Sequence, residues 1–483
     1  MNRLSFIPLI ATLLLIGSVS GTDFQLPNIG DPSGQLITPK EERELGEAFM
    51  RQLRHSVPLV HDPEIDAYVT SLGNRLVASS DSPGTSFTFF VVKDPSINAF
   101  AGPGGYIGIH SGLILAAETE SELAGVLAHE IAHVTQKHLL RAYDAASRMN
   151  LPSAAAMLAA ILVATQASEA GMAAMASVQA ANIQRQINFT RANEKEADSI
   201  GMQALSRSGF DPMGMPVFFE RLQQATRYYG DQAPPFLRTH PVTTDRIAEA
   251  QARVAQLKEE AGGKLTYDSL SFRLTRAKLR VVIADDAKQA LSYFEQELSA
   301  REKPDPSLRY GYALALQAVG RLSESSKILT DMIREDPDRI AYRLALADVE
   351  LDQGKTEKAL SRYTDALKLY PANPMIMGYY ASALLKAGQS EKAKKIAEEI
   401  LRGSPTPSPQ SYYLMAEAAG AAGDKADAYE AIAEYYYLNG QTRTAIQQLD
   451  LALHLPDLDH IQTVRIESRL SQFKTEALAE EQD

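Results

Sequence analysis

Two of the nine histidines in this 483-residue chain stand four apart with a glutamate between them: His129, Glu130 and His133, in the stretch ETESELAGVLAHEIAHVTQKHLL (118–140). Thr119 followed three residues later by Glu122 is a helix-start signature, set just ahead of the apolar stripe Leu123, Val126, Leu127 and Ile131. On a helix, residues four apart lie roughly 40° apart around the axis and about 6 Å along it, so both imidazoles reach one ion. A zinc ion held by three protein ligands keeps a fourth position open, lowers the pKa of a water there towards about 7, and needs a carboxylate to take the proton. Glu130 is placed for that role. The pattern arises by chance in about one chain in a hundred of this composition, so the reading requires a third ligand.

The stretch RANEKEADSIGMQAL (191–205) offers one. Glu194 and Asp198 stand four apart on one helical face; Glu194 would ligate the metal, and Asp198 would hydrogen-bond a ligand imidazole and fix its tautomer. Glu196 lies about 200° around the helix from Glu194 and cannot easily share the ion. His240 follows a proline-bearing stretch, YYGDQAPPFLRTHP, that reads as a loop. Two roles stay open for it: stabilising the oxyanion of a tetrahedral intermediate, or occupying the open metal position and holding the enzyme latent until the loop moves. Arg246 either aids the oxyanion or pairs with an acidic neighbour. His110 and His138 are weaker candidates; five residues past His133 on a helix, His138 points away from the ion and reads as structural. Ligand type alone points to zinc, although iron or cobalt could occupy a His2Glu site in vitro.

The elements that must position these groups belong to a chain too long for one ordinary core, with 45% apolar and 22% charged residues. A formal charge of −12 argues against nucleic-acid binding. The absence of cysteine excludes disulfides, thiolate zinc sites and lipoprotein processing. MNRLSFIPLIATLLLIGSVSG (1–21), with Arg3, an apolar run and small residues before Gly21, has the plan of a secretory signal peptide over 1–20. Helical patterning follows at 39–53 and 63–78, then SFTFFVVKD (86–94) and NAFAGPGGYIGIHSGLI (98–114), read as two strands around a glycine turn.

Near the other end, Gly320, Gly354, Gly388 and Gly423 recur at 34, 34 and 35 residues, with small residues Ser325, Ala359, Ala393 and Ala428 five after each. Pro337, Pro371 and Pro405 repeat at 34. This is the period of tetratricopeptide repeats: glycine in the turn of a helix pair, a small residue where the helices touch, proline after the second helix. A half-repeat follows at Gly440, Ala445, Leu449 and Ala452, and the array closes near Phe473. The expected organisation is a catalytic domain over 21–262, a linking helix within 263–284, an all-α repeat solenoid over 285–475 and a charged tail over 476–483. The alanine- and methionine-rich segment 154–181 is short for a membrane span and reads as a helical hairpin packed on the protein or touching a membrane surface.

HEIAH, followed some sixty residues later by NEKEAD, resembles the metallopeptidase family that contains the prenyl-protein (CaaX) type I protease and the heat-shock protease HtpX. NAFAGPGGYIGIHSGLI before the first motif and RTHPVTTDRI (238–247) after the second also match, in the family's order, over roughly 39–260. The resemblance implies an α+β zincin-type (gluzincin) domain, mostly helical with a small sheet, and zinc endopeptidase activity with one Zn2+ per chain. Its ligands would be His129, His133 and Glu194, with Glu130 as general base. It also implies that the strand Tyr106, Ile107, Gly108, Ile109 and His110 is an edge that pairs with extended substrate. A signal peptide and repeats around such a domain imply a periplasmic enzyme of a Gram-negative bacterium. Its clients would be unfolded or misassembled outer-membrane proteins, and its repeat groove would meet them or the β-barrel assembly machinery. The alternatives are a chaperone-like binding module with a latent metal site and an integral membrane peptidase.

Overall fold

The structure, a computed structural model, describes residues 37–139, 155, 157–160, 191–229, 234–263, 265–303 and 305–481. The expected signal peptide and most of the segment 154–181 lie outside these residues. Helix α1 (Pro39–Ser56) starts on a reciprocal cap: the Thr38 hydroxyl accepts from the Glu41 amide at 3.2 Å, and the Glu41 carboxylate accepts from the Thr38 amide at 2.7 Å. Helix α2 (Pro63–Val77) starts on Asp62, whose carboxylate accepts from the amides of Glu64 and Ile65. Its buried stripe, Ile65, Val69, Leu72 and Leu76, faces the peptidase core.

Strands β1 (Thr88–Val92), β2 (Ala99–Ala101) and β3 (Tyr106–His110) form one sheet in the order β1-β3-β2. The two stretches read as two strands around a glycine turn thus hold three, with β2 and β3 on either side of that turn in 98–114, followed by the short helix α3 (Ser111–Ala116). The expectation that 106–110 is an edge strand does not hold. β3 lies in the middle, parallel to β1 and antiparallel to β2, with Gly108 opposite both Phe90 and Phe100. The reason is burial: Ile107 to His110 are buried at every position, which suits a strand flanked on both sides. Of the two flanking strands, β2 is a three-residue edge. Its inner side bonds β3 through His110 N–H to Asn98 C=O (3.0 Å) and Gly102 N–H to Tyr106 C=O (2.7 Å). By antiparallel alternation, the N–H and C=O of Ala99 and Ala101 point away from β3.

Helix α4 (Glu120–Thr135) crosses this sheet and is buried from Glu120 to His133. It is enclosed by α2, β2, α5 (Arg191–Arg207) and α6 (Gly214–Tyr229). A side chain at Gly201 on α5 would start 3.0 Å from the backbone of Ala128 and His129, so glycine lets the two helices meet closely at the first histidine. Helix α7 (Pro235–Thr239) and α8 (Thr244–Ala261) complete the peptidase core.

The helices α9 (Leu270–Val282), α10 (Ala287–Ser299), α11 (Pro306–Ala318), α12 (Leu322–Glu335), α13 (Ile340–Asp352), α14 (Thr356–Leu369), α15 (Pro374–Lys386), α16 (Ser390–Gly403), α17 (Pro409–Ala422), α18 (Lys425–Leu438) and α19 (Thr442–Leu453) stack as antiparallel pairs, closed by α20 (His460–Glu481). Each turn glycine is left-handed, with φ of 81° at Gly320, 75° at Gly354, 72° at Gly388, 93° at Gly423 and 71° at Gly440. The small residues Ser325, Ala359 and Ala393 are wholly buried where paired helices touch, while Ala428 is half-buried.

The array bends round the peptidase and contacts it at both ends. At the near end, Lys278 of α9 is buried with its ammonium 3.1 Å from both Asp62 and Glu64 at the start of α2, and it donates to the Tyr379 hydroxyl of α15 at 2.9 Å. Tyr310 of α11 donates to Glu64 at 3.1 Å. Burial lowers the Lys278 pKa, but Glu64, Tyr310 and Asp62 outweigh it, so the ammonium stays charged. At the far end, Arg54 donates to the Leu438 carbonyl at 3.0 Å, and Arg51 lies over the Tyr437 ring at 4.7 Å. Part of the inner face of the array is thus covered by the chain's own α1 and α2.

Lys278→Ala leaves two buried carboxylates without their cation and is expected to destabilise the junction by about 3–5 kcal/mol. Urea unfolding combined with hydrogen exchange on α2 and α15 reads this directly. Adding Asp62→Asn and Glu64→Gln to Lys278→Met is expected to recover most of the loss.

Candidate metal centre

The cap of α4 is half of the reciprocal arrangement. The Thr119 hydroxyl accepts from the Glu122 amide at 3.3 Å, but the Glu122 carboxylate accepts from the Glu118 amide at 2.9 Å and pairs with Arg221. From this start, His129 and His133 fall one turn apart on the face of α4 that meets α5. Glu194, in the first turn of α5, faces both: His129 Nε2 is 3.5 Å from Glu194 Oε2, and His133 Nε2 is 3.5 Å from Glu194 Oε1. His240, which follows α7, joins them with Nδ1 at 3.1 Å from Glu194 Oε1 and 3.3 Å from His129 Nε2. All four side chains are buried, and their candidate ligand atoms lie within 4.8 Å of one another.

These donors suit a tetrahedral cation. Two ligand atoms about 2.0–2.1 Å from one ion lie about 3.3–3.4 Å apart in that geometry. The two Nε2 atoms of His129 and His133 are 3.0 Å apart, and each lies 3.5 Å from a carboxylate oxygen of Glu194. Imidazole and carboxylate donors without thiolate suit zinc or a similar divalent ion.

Glu130 turns into the same space. Neither of its carboxylate oxygens has a hydrogen-bond partner, although the group is fully buried; His240 Nε2 stands 3.5 Å from Oε1. Burial raises its pKa, opposed by the charges of His240 and His129, reinforced by Glu194, and opposed again by the amide of Ala101, which approaches the carboxylate without a well-formed hydrogen bond. The outward edge of β2 therefore runs beside Glu130. In the absence of a metal, burial tends to lower the His129 pKa, but Asp198 and Glu194 outweigh it and raise it to about 9. Burial and then the charge of His129 hold His133 well below its usual value. Burial alone would raise Glu194, yet His240 and His129 hold it well below the usual carboxylate range.

Behind these groups stands a second layer. Asp198 Oδ1 is 3.0 Å from His129 Nδ1, off the line of a well-formed hydrogen bond. Arg246, at the start of α8, grips Asp198 with two parallel bonds (Nε to Oδ2 2.7 Å, Nη2 to Oδ1 2.8 Å), pairs with Glu194 Oε2 at 2.7 Å and donates to the Pro241 carbonyl at 2.9 Å. Of the two roles left open for Arg246, the structure shows the pairing with acidic neighbours, which takes most of its N–H donors.

His138 has a partner that helical extrapolation misses. α4 ends at Thr135, and Lys137 takes φ of 55°, so the chain turns back and sets His138 Nδ1 2.9 Å from His133 Nδ1. His138 Nε2 in turn lies 3.0 Å from Glu196 Oε2. The left-handed lysine leaves no signal in residue type, and only the spacing of His138 and Glu196 hints at the link. His110 stands apart, with Nδ1 2.9 Å from the Ser96 hydroxyl beside Asp94.

Comparison with known proteins agrees with this geometry. Residues 63–254 match the model of peptidase family M48, and 282–349 and 350–418 match tetratricopeptide repeats. The chain is 37% identical over 453 residues to the putative beta-barrel assembly-enhancing protease of Vibrio cholerae, covering 93% of this chain and 92% of that one. It is 34% identical over 450 residues to the beta-barrel assembly-enhancing protease of Escherichia coli K12, covering 93% and 91%. A mitochondrial metalloendopeptidase of Schizosaccharomyces pombe is 30% identical over 195 residues, 40% of this chain and 55% of that one. With this similarity along nearly its whole length, the chain belongs to the beta-barrel assembly-enhancing proteases, metalloendopeptidases of family M48 that carry tetratricopeptide repeats.

Proposed function

We propose that this chain is an exported zinc endopeptidase that degrades unfolded or misassembled outer-membrane proteins in the periplasm of a Gram-negative bacterium. In this reading its repeats meet clients or the β-barrel assembly machinery. The observation that carries it is the buried carboxylate of Glu130, without a hydrogen-bond partner and set between the ligand cluster and the edge strand β2. A buried carboxylate without a donor is unfavourable unless the site brings it one.

His129, His133 and Glu194 would hold the ion. When bound, zinc polarises the scissile carbonyl and acidifies water. Glu130, its pKa raised by burial, takes the proton of the attacking water and hands it to the leaving amine. The outward C=O of Ala101, the partly exposed residue of β2, accepts from the main chain of an extended peptide, which selects for unfolded segments without demanding a sequence. Arg246 keeps Asp198 and Glu194 in place. His138 accepts from His133 Nδ1–H and passes its own Nε2–H to Glu196, fixing the tautomer that leaves His133 Nε2 free for the ion.

His240 sits between Glu130 and Glu194, where an entering carbonyl would need room, and it acts as a latch that opens when the short link between α7 and α8 moves. This closed arrangement is also what favours the second reading, a binding module with an idle metal site. No helix among the described residues is long and apolar enough to cross a membrane. The segment 154–181 is assigned peripheral membrane contact on composition alone.

Cleavage of an unfolded protein by the zinc-loaded chain is expected to fall about 10³-fold in Glu130→Gln with zinc content unchanged. A chelator should abolish it and added zinc restore it; equal turnover in wild type and Glu130→Gln would favour the binding module. His240→Ala is expected to raise turnover, up to about tenfold if the open form is roughly a tenth of the population. In chelator competition, His138→Ala should weaken zinc binding about 10–100-fold while the melting temperature of the metal-free chain stays unchanged.

A further inference from the structure

Away from the metal centre, a cavity of about 250 Å3 lies between α9, α10 and the first turn of α11. In a chain of formal charge −12, four arginines converge on it: Arg273, Arg276 and Arg280 from α9, and Arg301 just past α10. The spacing of the first three is that of one helical stripe. Two of the four carry their own counterions. Arg273 pairs with Asp268 and, at 3.2 Å, with Asp305, and Arg301 pairs with Glu297 at 2.8 Å.

Arg276 and Arg280 have no carboxylate within 4.0 Å among the described residues. Arg276 gives one N–H to the Leu115 carbonyl at 3.2 Å, and the Arg280 guanidinium rests on the Tyr293 ring at 3.9 Å. Stacking on a ring leaves the in-plane N–H fork of a guanidinium available. Both side chains are half-buried, and burial followed by the charge of Arg280 lowers the pKa of Arg276, so the two repel as neighbours one turn apart on the wall of the cavity. Such a pair is stabilised by a shared anion. Tyr293, Phe294 and Leu308 supply an apolar wall beside it.

We propose that this cavity binds a peptide carboxylate, with Arg276 and Arg280 holding the anion and the Tyr293–Phe294–Leu308 wall taking the adjacent apolar side chain. Its volume admits about one side chain with its carboxylate and excludes a folded domain. The carboxylate comes from a free C-terminus or from an acidic side chain. Placed where the repeats leave the peptidase, the pocket anchors one end of a client while the rest of it reaches the zinc centre, raising the local concentration of cleavable chain.

The test uses full-length Glu130→Gln chain loaded with zinc, so that binding is read without cleavage and independently of whether the peptidase reading holds. Fluorescence anisotropy compares three labelled peptides of one apolar sequence: a free C-terminus, an amidated C-terminus, and an amidated form with one internal glutamate. A carboxylate peptide binding at least about tenfold tighter than the neutral one supports the proposal, and the arm that binds identifies the source. Adding Arg280→Gln should remove about tenfold or more of that preference, as expected for a lost charge-assisted hydrogen bond, with Arg280→Lys intermediate and the melting temperature unchanged. Equal binding of all three peptides overturns the proposal without any variant, and so does an unchanged preference in both Arg280→Gln and Arg276→Gln.

Discussion

The guanidinium of Arg246 is the contact on which the metal centre depends. It joins α5, through Asp198 and Glu194, to α8, on which it stands, and to the adjoining segment that carries His240, through the Pro241 carbonyl. Two buried carboxylates four residues apart on one helix repel each other, and a buried ion left without its partner is among the costliest defects a core can hold. A planar, permanently charged fork is the side chain that satisfies both at once, where lysine would offer a single point charge. Once Asp198 and Glu194 are fixed, His129 and His133 have defined neighbours, and α4 can bury both histidines and Glu130 inside an apolar environment. Phe219, under the Arg246 guanidinium at 5.1 Å, completes the support from α6.

The parts of this arrangement that sequence could reveal are those set by local periodicity. Four-residue spacing places His129 beside His133 and Glu194 beside Asp198 once each stretch is helical, and a 34-residue period exposes the repeats because every turn needs the same left-handed glycine. Strand order has no such local signature. Tyr106 to His110 reads equally well as an edge or a centre, and only the parallel pairing with β1, made across residues 93–105, decides that it is central and that β2 lies at the edge of the sheet. His138 fails to be read for a different reason. Counting degrees around a helix assumes that the helix continues, and one residue at positive φ after Thr135 reverses the answer. For Arg246, residue type allowed two roles, and only the positions of acceptors from α5 and the loop chose between them.

The repeats are more than an appended binding surface, because α2 is shared. Its first turn, Asp62 and Glu64, is clamped by Lys278 and Tyr310 of the array, while its middle packs on α4, where Tyr68 donates to Glu120 at 2.8 Å. Lys278 cannot leave without stranding two buried carboxylates, so the array and α2 move together or the junction opens. α2 is packed against the helix that carries His129, Glu130 and His133, and also against β1. Close-packed helices do not deform continuously; they hold or they slip to another packing. The clamp therefore ties the position of α2, and through it one face of α4, to the array, and it resides in one lysine and two carboxylates.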